Sequence, residues 1–507
     1  MKKLLLLIGF AFSLTMNGQA PAIQWQKTLG GTDVDRAQSI QPTSDGGYVV
    51  AGYTLSSDGD VTGNHVNNDF WVVKLDATGA IIWQKALGGT DDDSAYSIES
   101  TADGGYIVAG YTYSNDGDVT GNHGSGDVWV VKLSATGAIV WQKTLGGTGY
   151  ETAQSIQPTS DGGYIMAGFT SSNDGNVTGN HGGTDAWVVK LSDTGDIIYQ
   201  KALGGTLGDN AFSIQSTADG GYIMAGYRDT GIFSVVLVDV WVVKLSATGT
   251  IVWQKTLGGS NYDIAQSIQI TSDGGYILSG YTSSNDGDVT GNHGAIDVWV
   301  LKLNATGDIT WQKTLGGTGV DDAKSIQTTS DGGYIMAGFT SSNDGDVTGN
   351  HGSNDFWVVK LDATGAIIWQ KALGGTDDDS AFSIESTADG GYIVAGYTLS
   401  NDEDVTGNHG GNGDFWVGKL YPDQLSTADF TNTGLKLYPN PTCSIINIQS
   451  FNGVGLDKIT ITDLTGKIVI EQTQNTTQVS VEKLATGVYI LNGYSEGNKF
   501  QEKFIKE

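Results

Sequence analysis

Most of the residues able to do chemistry in this chain lie in one polar loop that occurs in six copies. In the second copy it reads Ser114-Asn115-Asp116-Gly117-Asp118-Val119-Thr120-Gly121-Asn122-His123-Gly124, followed by Asp127. Two carboxylates two residues apart, a glycine for a sharp turn between them and a third aspartate further on make an oxygen-rich set suited to a hard cation such as Ca²⁺. The candidate ligands are Asp58, Asp60 and Asp69; Asp116, Asp118 and Asp127; Asp286, Asp288 and Asp297; and Asp344, Asp346 and Asp355. An EF-hand loop would add a third Asp or Asn two residues later and a distal glutamate, and neither is present. The alternative is a solvated turn whose Asp and Asn side chains bond the local backbone. All six histidines, His65, His123, His181, His293, His351 and His409, stand in this loop, one per copy, so a zinc site would need ligands from several copies to converge.

Nucleophilic catalysis finds no support, because no serine or cysteine stands in a nucleophile-elbow context and the single cysteine, Cys443, lies near the C-terminus. The acidic runs Asp91-Asp92-Asp93 and Asp377-Asp378-Asp379 could supply the acid and base of a glycoside hydrolase or lyase. An active site, however, needs particular residues in distinct environments, and here nearly every polar feature is copied along the chain. The expectation is a binding or adhesion scaffold rather than an enzyme, presenting the same loops many times so that weak contacts to a surface glycan or protein combine by avidity. A carbohydrate-active enzyme is the alternative.

The elements that carry these loops follow from a long internal period. The motif Trp-Gln-Lys-(Thr/Ala)-Leu-Gly-Gly begins at Trp25, Trp83, Trp141, Tyr199, Trp253, Trp311 and Trp369, a spacing of 58 residues except for one of 54. A second series, Trp71, Trp129, Trp187, Trp241, Trp299, Trp357 and Trp416, each two residues after an aspartate, completes the 13 tryptophans. Within the second unit, runs of strand character cover Ala95 to Thr101, Tyr106 to Thr112, Val128 to Leu133 and Ala138 to Leu145, separated by Asp103-Gly104-Gly105, the polar loop and Ala135-Thr136-Gly137. Four strands per unit and seven units predict an all-β, seven-bladed β-propeller. The first unit starts with a lone fourth-type strand, Ile23 to Leu29, and the seventh ends on a third-type strand, Phe415 to Leu420, so the two fragments should complete one blade and close the ring.

Residues fixed at one point of every strand are expected to pack blade against blade, which assigns the tryptophans to packing ahead of sugar stacking. Gln84-Lys85 inside an otherwise apolar fourth strand fits a solvated outer edge. Basic residues of the repeats fall at two regular strand positions, with Arg36, Arg228 and Lys324 as exceptions. The symmetry breaks most openly in the fourth unit, where Arg228 to Leu237 replaces the polar loop with a shorter apolar one, either a partner contact or a decayed repeat. By contrast, Phe70 to Thr112 and Phe356 to Thr398 differ only at Tyr96 and Phe382.

The formal charge of −30 argues against nucleic acid and anionic membrane surfaces as partners. Lys2 and Lys3, the apolar stretch Leu4 to Phe12 and small residues at Gly18 and Ala20 have the layout of a secretory signal peptide over residues 1–20. No later stretch has the length of a transmembrane segment, so a secreted or cell-surface protein exported through the periplasm is expected. With one cysteine, packing and strand pairing must hold it together. The repeats should occupy residues 21–420, a polar linker 421–433, and a separate domain 434–507.

That last domain contains Leu437-Tyr438-Pro439-Asn440-Pro441, Ile459-Thr460-Ile461-Thr462-Asp463-Leu464-Thr465-Gly466-Lys467, Leu484-Ala485-Thr486-Gly487-Val488-Tyr489-Ile490 and a basic end, Lys503-Phe504-Ile505-Lys506. It resembles the C-terminal sorting domain of the type IX secretion system of Bacteroidetes. The resemblance implies a small immunoglobulin-like β-sandwich that engages the type IX machinery and is removed at the outer membrane. The blades, with Asp103-Gly104-Gly105-Tyr106-Ile107-Val108-Ala109-Gly110-Tyr111, resemble those of secreted Bacteroidetes propeller proteins, a group that implies fold and export but no activity.

Overall fold

The computed structural model describes residues 19–231, 237–410, 412–423, 435–450, 455–463, 467–474, 476–495 and 498–507. Nearly all of the expected signal peptide, most of the linker and the apolar centre of the fourth unit's loop lie outside the described residues. The chain divides into two compact units, Met1–Asp423 and Gln424–Glu507. Among the described residues the regular elements are strands.

In the first unit, β1 (Ile23–Leu29) stands apart from its sequence neighbours, while β2 (Asp35–Pro42), β3 (Tyr48–Thr54), β4 (Asp69–Leu75) and β5 (Ile81–Leu87) form an antiparallel meander, blade 1. Five further blades repeat this order, and the seventh is built from strands Asp379–Ser386, Tyr392–Thr398 and Asp414–Leu420 completed by β1. The register runs from Ile23 opposite Leu420 to Leu29 opposite Phe415, so the N-terminal strand takes the fourth position. The expected propeller and its split blade are both present.

The repeated motif is explained position by position. The third-strand tryptophans are 0–2% exposed, and Trp71 donates its indole N–H to Gln84 Oε1 of the adjacent strand at 2.9 Å. Trp416 makes the same bond to Gln26 Oε1 across the closure, also at 2.9 Å. The glutamine is therefore an indole acceptor more than a solvated edge residue. The first tryptophan of the motif reaches the next blade: Trp25 lies edge-on to Tyr48 with centroids 5.8 Å apart and bonds the carbonyl of Ala77. These contacts place both tryptophan series in packing.

Each core joins the facing sides of two neighbouring blades, which is why the strands are apolar on both faces. Leu29, Val50 and Trp71, for example, pack with Ile393, Phe415 and Val417. Rings meet across these junctions, as Phe70 does with Trp129 at 4.6 Å and Trp71 with Phe415 at 4.5 Å. The Asp-Gly-Gly hairpins are set by Gly46, whose φ of +83° an L side chain resists, and by Asp45, which accepts from Gly47 N at 3.0 Å. The buried Lys74 ammonium bonds the same carboxylate. The Thr43 hydrogen bond, joined by those from Lys74 and Gly47, holds Asp45 down to about 2 against the opposing effect of burial.

The second unit is a two-sheet sandwich. One sheet pairs Leu435–Tyr438, Ile445–Ser450 and Gln478–Ser480, and the other pairs Ile468–Gln472, Lys458–Thr462, Gly487–Ser495 and Asn498–Lys506 in that spatial order. Ile446, Ile459, Ile461, Val481, Leu491 and Phe504 fill its core.

Candidate functional site

The repeated polar loop lies at the end of the blades opposite the Asp-Gly-Gly hairpins, and each copy clamps the connector leading into its own blade. Asp116 Oδ1 accepts from Thr90 N and Asp116 Oδ2 from Thr90 Oγ1, both at 2.8 Å. Asp58 does the same with Thr32 and Asp344 with Thr318, while Asp286 accepts from Ser260 N. The second carboxylate of each loop is placed by its backbone: the N–H groups of Asp60, Asp118, Asp288 and Asp346 donate to Gly30, Gly88, Gly258 and Gly316. The third aspartate is buried beside its loop histidine, with Asp127 Oδ2 2.5 Å from His123 Nδ1, and Asp69, Asp297 and Asp355 lie likewise against His65, His293 and His351. The three candidate calcium ligands of a loop thus take up separate partners. Among the described residues, no group of three or more His, Cys, Asp or Glu side chains is placed to hold a metal ion.

Buried carboxylates face one another at the blade junctions. Asp69, at the start of β4, and Asp93, at the start of the next blade, are both 0% exposed and flank Gly88, where a Cβ would fall 2.4 Å from each. Burial pushes both up to about 6. Asp69 Oδ1 has no hydrogen-bond partner. The acidic runs weighed as catalytic pairs are separated here: Asp93 is buried in the junction, Asp92 Oδ1 accepts from Asn68 Nδ2 at 3.1 Å, and Asp91 is exposed.

The first strands of all seven blades line a central cavity of about 280 Å³. Each carries a β-bulge at one position, between Ala37 and Ser39 in blade 1, and the bulged residue turns into the channel. A glycine opposite makes this possible, since a Cβ on Gly52 would fall 1.9 Å from the carbonyl oxygen of Arg36. Below the bulge, a serine in every blade accepts from an isoleucine N–H of the next. Deeper still, Gln157 Nε2 donates to Glu99 Oε1 at 2.7 Å, Gln327 Nε2 to Glu385 Oε1 at 2.6 Å, and Gln41 Nε2 lies 3.3 and 3.4 Å from the two carboxyls. Desolvation in this ring pushes Glu99 up to about 8, and Glu385 well above the usual carboxylate range with a further contribution from Glu99.

The bulge position differs around the ring: Gln38, Tyr96, Gln154, Phe212, Gln266, Lys324 and Phe382. Two residues earlier stand Arg36, Ser94, Thr152, Asn210, Ile264, Asp322 and Ser380. Facing these across the sheet, a half-buried aromatic occupies every second strand: Tyr53, Tyr111, Phe169, Tyr227, Tyr281, Phe339 and Tyr397. Together they form an aromatic collar at the loop-side mouth of the channel. Two of the three irregular cations belong to it: the Arg36 guanidinium sits 4.2 Å over the Tyr397 ring, and Lys324 Nζ pairs with Asp322 at 2.6 Å and lies 5.8 Å from the Phe339 ring. Arg228 is at the same end, 3.7 Å from Asp209. Sequence reasoning passed over this collar, although the one difference between two otherwise identical stretches, Tyr96 against Phe382, falls on the bulge position.

Residues 436–507 match the family described as the secretion system C-terminal sorting domain. The chain is therefore exported by the type IX route to the cell surface or the medium, and its C-terminal domain engages the secretion machinery. No helix of the described residues is long and apolar enough to cross a membrane. The regulatory protein FlaEY of Caulobacter vibrioides is 24% identical over 399 residues, covering 70% of this chain and 41% of that protein, so the chain spans less than half of that relative. Similar solved structures include PorZ, a surface component of the type IX secretion system of Porphyromonas gingivalis (12% identity, 94% of this chain and 60% of that one, TM-score 0.40). The WD40 domain of Neurospora crassa Pan2 is another (10% identity, 79% and 96%, TM-score 0.43).

Proposed function

We propose that this protein is an exported binding scaffold whose ligand docks at the loop-side mouth of the central channel, and that it binds without catalysing. The observation that supports this most is the distribution of differences among near-identical blades. Serines of the channel belt, hairpin aspartates and buried lysines recur in all seven blades, as packing requires. Chemical variety gathers instead at the bulge, where the side chains line a cavity. A surface that combines aromatic faces, amides and two cations in an asymmetric pattern suits recognition of one ligand in one orientation.

The repeated loops favour a structural role for themselves, because their carboxylates hold connectors and histidines. To test the reading, full-length protein is incubated with a panel of polysaccharides and with outer-membrane proteins. Retention of a ligand without new reducing or unsaturated sugar ends supports binding alone; release of such ends would put the carbohydrate-active alternative in its place.

A further inference from the structure

Blades 2 and 3 share an aromatic cluster at the mouth that the other junctions lack. Tyr113 and Tyr150 stack with centroids 5.8 Å apart and planes 15° from parallel, and Tyr111 stands edge-on to both at 5.4 and 5.7 Å. Tyr96, on the bulge, continues the cluster into the channel at 5.9 Å from Tyr111. Equivalent positions hold Leu55 or Ser171 in place of Tyr113, and Val34 or Asp92 in place of Tyr150; Tyr262 repeats Tyr150 in blade 5, but with Asp229 of the preceding blade where Tyr113 would stand. Gly126 leaves room for the pair, since a Cβ there would strike Tyr150 at 2.8 Å and Tyr113 at 2.9 Å. Tyr and Gly recur singly elsewhere, as Tyr262 and Gly413, but among the described residues the three stand together at this junction alone. Tyr113 remains 40% exposed, so the cluster is not sealed into the core.

Resting on the proposal that the mouth is the contact surface, we infer that Tyr96, Tyr111, Tyr113 and Tyr150 form a carbohydrate subsite that takes neutral pyranose rings. Tyr113, exposed on the face that does not stack on Tyr150, offers flat apolar surface to the C–H face of a sugar, and a tyrosine hydroxyl can exchange hydrogen bonds with the sugar's own. The neighbouring channel residue Gln154 is an uncharged amide that both donates and accepts. Asp91 and Asp92 flank the cluster, so an anionic sugar would meet repulsion on this side.

The test uses full-length protein and hexaoligosaccharides of glucose, mannose, galactose and N-acetylglucosamine, with calorimetry for affinity and saturation-transfer NMR for contact between sugar C–H groups and aromatic rings. Tyr113→Leu and Tyr150→Val install residue types that other blades already use at those positions, which protects folding. Binding of at least one neutral oligosaccharide, weakened about tenfold or more by either substitution and unchanged by Tyr262→Ala in another blade, is the expected result. Binding that ignores Tyr113 and Tyr150 yet is lost in Phe212→Gln with Phe382→Gln would overturn the subsite while leaving the mouth reading intact. Binding insensitive to all of these would overturn both. Failure of every neutral oligosaccharide to bind, with a protein or acidic glycan held at the mouth instead, would overturn the carbohydrate assignment alone.

Discussion

The backbone N–H of Ile40 donates to Ser383 Oγ at 3.2 Å, joining the first blade to the last across a sequence separation of 343 residues. The bond is one of seven: Ile98 donates to Ser39, Ile156 to Ser97, Ile214 to Ser155, Ile268 to Ser213, Ile326 to Ser267 and Ile384 to Ser325. A belt that returns to its start means that no junction is an end, and that stability is shared by the ring instead of being summed from independent repeats.

Closure depends on β1, which gives Trp416 both its strand partner and its indole acceptor. Deleting residues 22–30 should leave that buried tryptophan facing water beside an open strand edge, and the propeller should melt about 10 °C lower or worse. Calorimetry of the deletion against the full chain checks this. A shift of a degree or two would mean that the N-terminal strand is dispensable.

The junction carboxylates give stability an acid-side maximum. Asp35, Asp69, Asp93 and Asp379 are pushed by burial to about 6. An acid whose pKa is raised on folding contributes fully below its unfolded pKa of about 4, and that contribution is lost as pH rises through about 6. His65 and His409 act in the same sense: burial opposes their charge, but Asp69 and Asp414 outweigh it and raise both above 6.5. The hairpin carboxylates oppose this at the other end, since Asp45, Asp103 and Asp161 are held near 2 and their contribution fades as pH falls from about 4 toward 2. The melting temperature should therefore rise from pH 8 to about pH 5 and drop below pH 4. A flat or steadily rising profile from pH 5 to 8 would contradict the junction geometry.

Glu99 and Glu385 offer a sharper test of the channel. Burial keeps both protonated near neutrality, so the variant carrying Glu99→Gln with Glu385→Gln, which completes an all-glutamine ring, should melt within about 1 °C of the parent at pH 6. At pH 9, where the parent must ionise Glu99 in the channel, the variant should melt higher by about 3 °C or more. Equal effects at both pH values would show that the carboxyls are solvated.

Removing residues 435–507 should leave the propeller in the periplasm of a native host, because the sorting domain is what the secretion machinery engages. Fractionation with an antibody to the propeller reads the outcome. Normal appearance outside the cell would contradict the type IX route.

The fold was legible because its determinants are local and repeated. Trp-Gln-Lys marks every fourth strand, Asp-Gly-Gly every first hairpin, and the lone Ile23–Leu29 run announces the split blade. The loop was harder to read. Asp116, Asp118 and Asp127 are close in sequence, yet the turn at Gly117 and the burial of Asp127 send them to Thr90, the Gly88 connector and His123. The mouth was invisible for a different reason: a bulge at Gln38 breaks the two-residue alternation on which facing is judged, and Tyr113 meets Tyr150 only because a connector brings the start of blade 3 beside blade 2. The glycine of each Ala-Gly-Tyr run was the available sign, since a strand-interior glycine that recurs in register marks a bulge opposite.

The measurement closest to the central claim compares ligand binding by the full-length protein with binding by a variant whose mouth is made uniform, carrying Arg36→Ser, Tyr96→Gln, Phe212→Gln, Lys324→Gln and Phe382→Gln. Tyr96, Phe212, Lys324 and Phe382 line the channel and Arg36 stands over the Tyr397 ring beside it, and serine or glutamine already stands at the same positions in other blades. The variant should melt within a few degrees of the parent and lose binding to the captured polysaccharide or protein by about tenfold or more. A variant that folds and binds as well as the parent would place the contact surface elsewhere on the propeller and contradict the proposal.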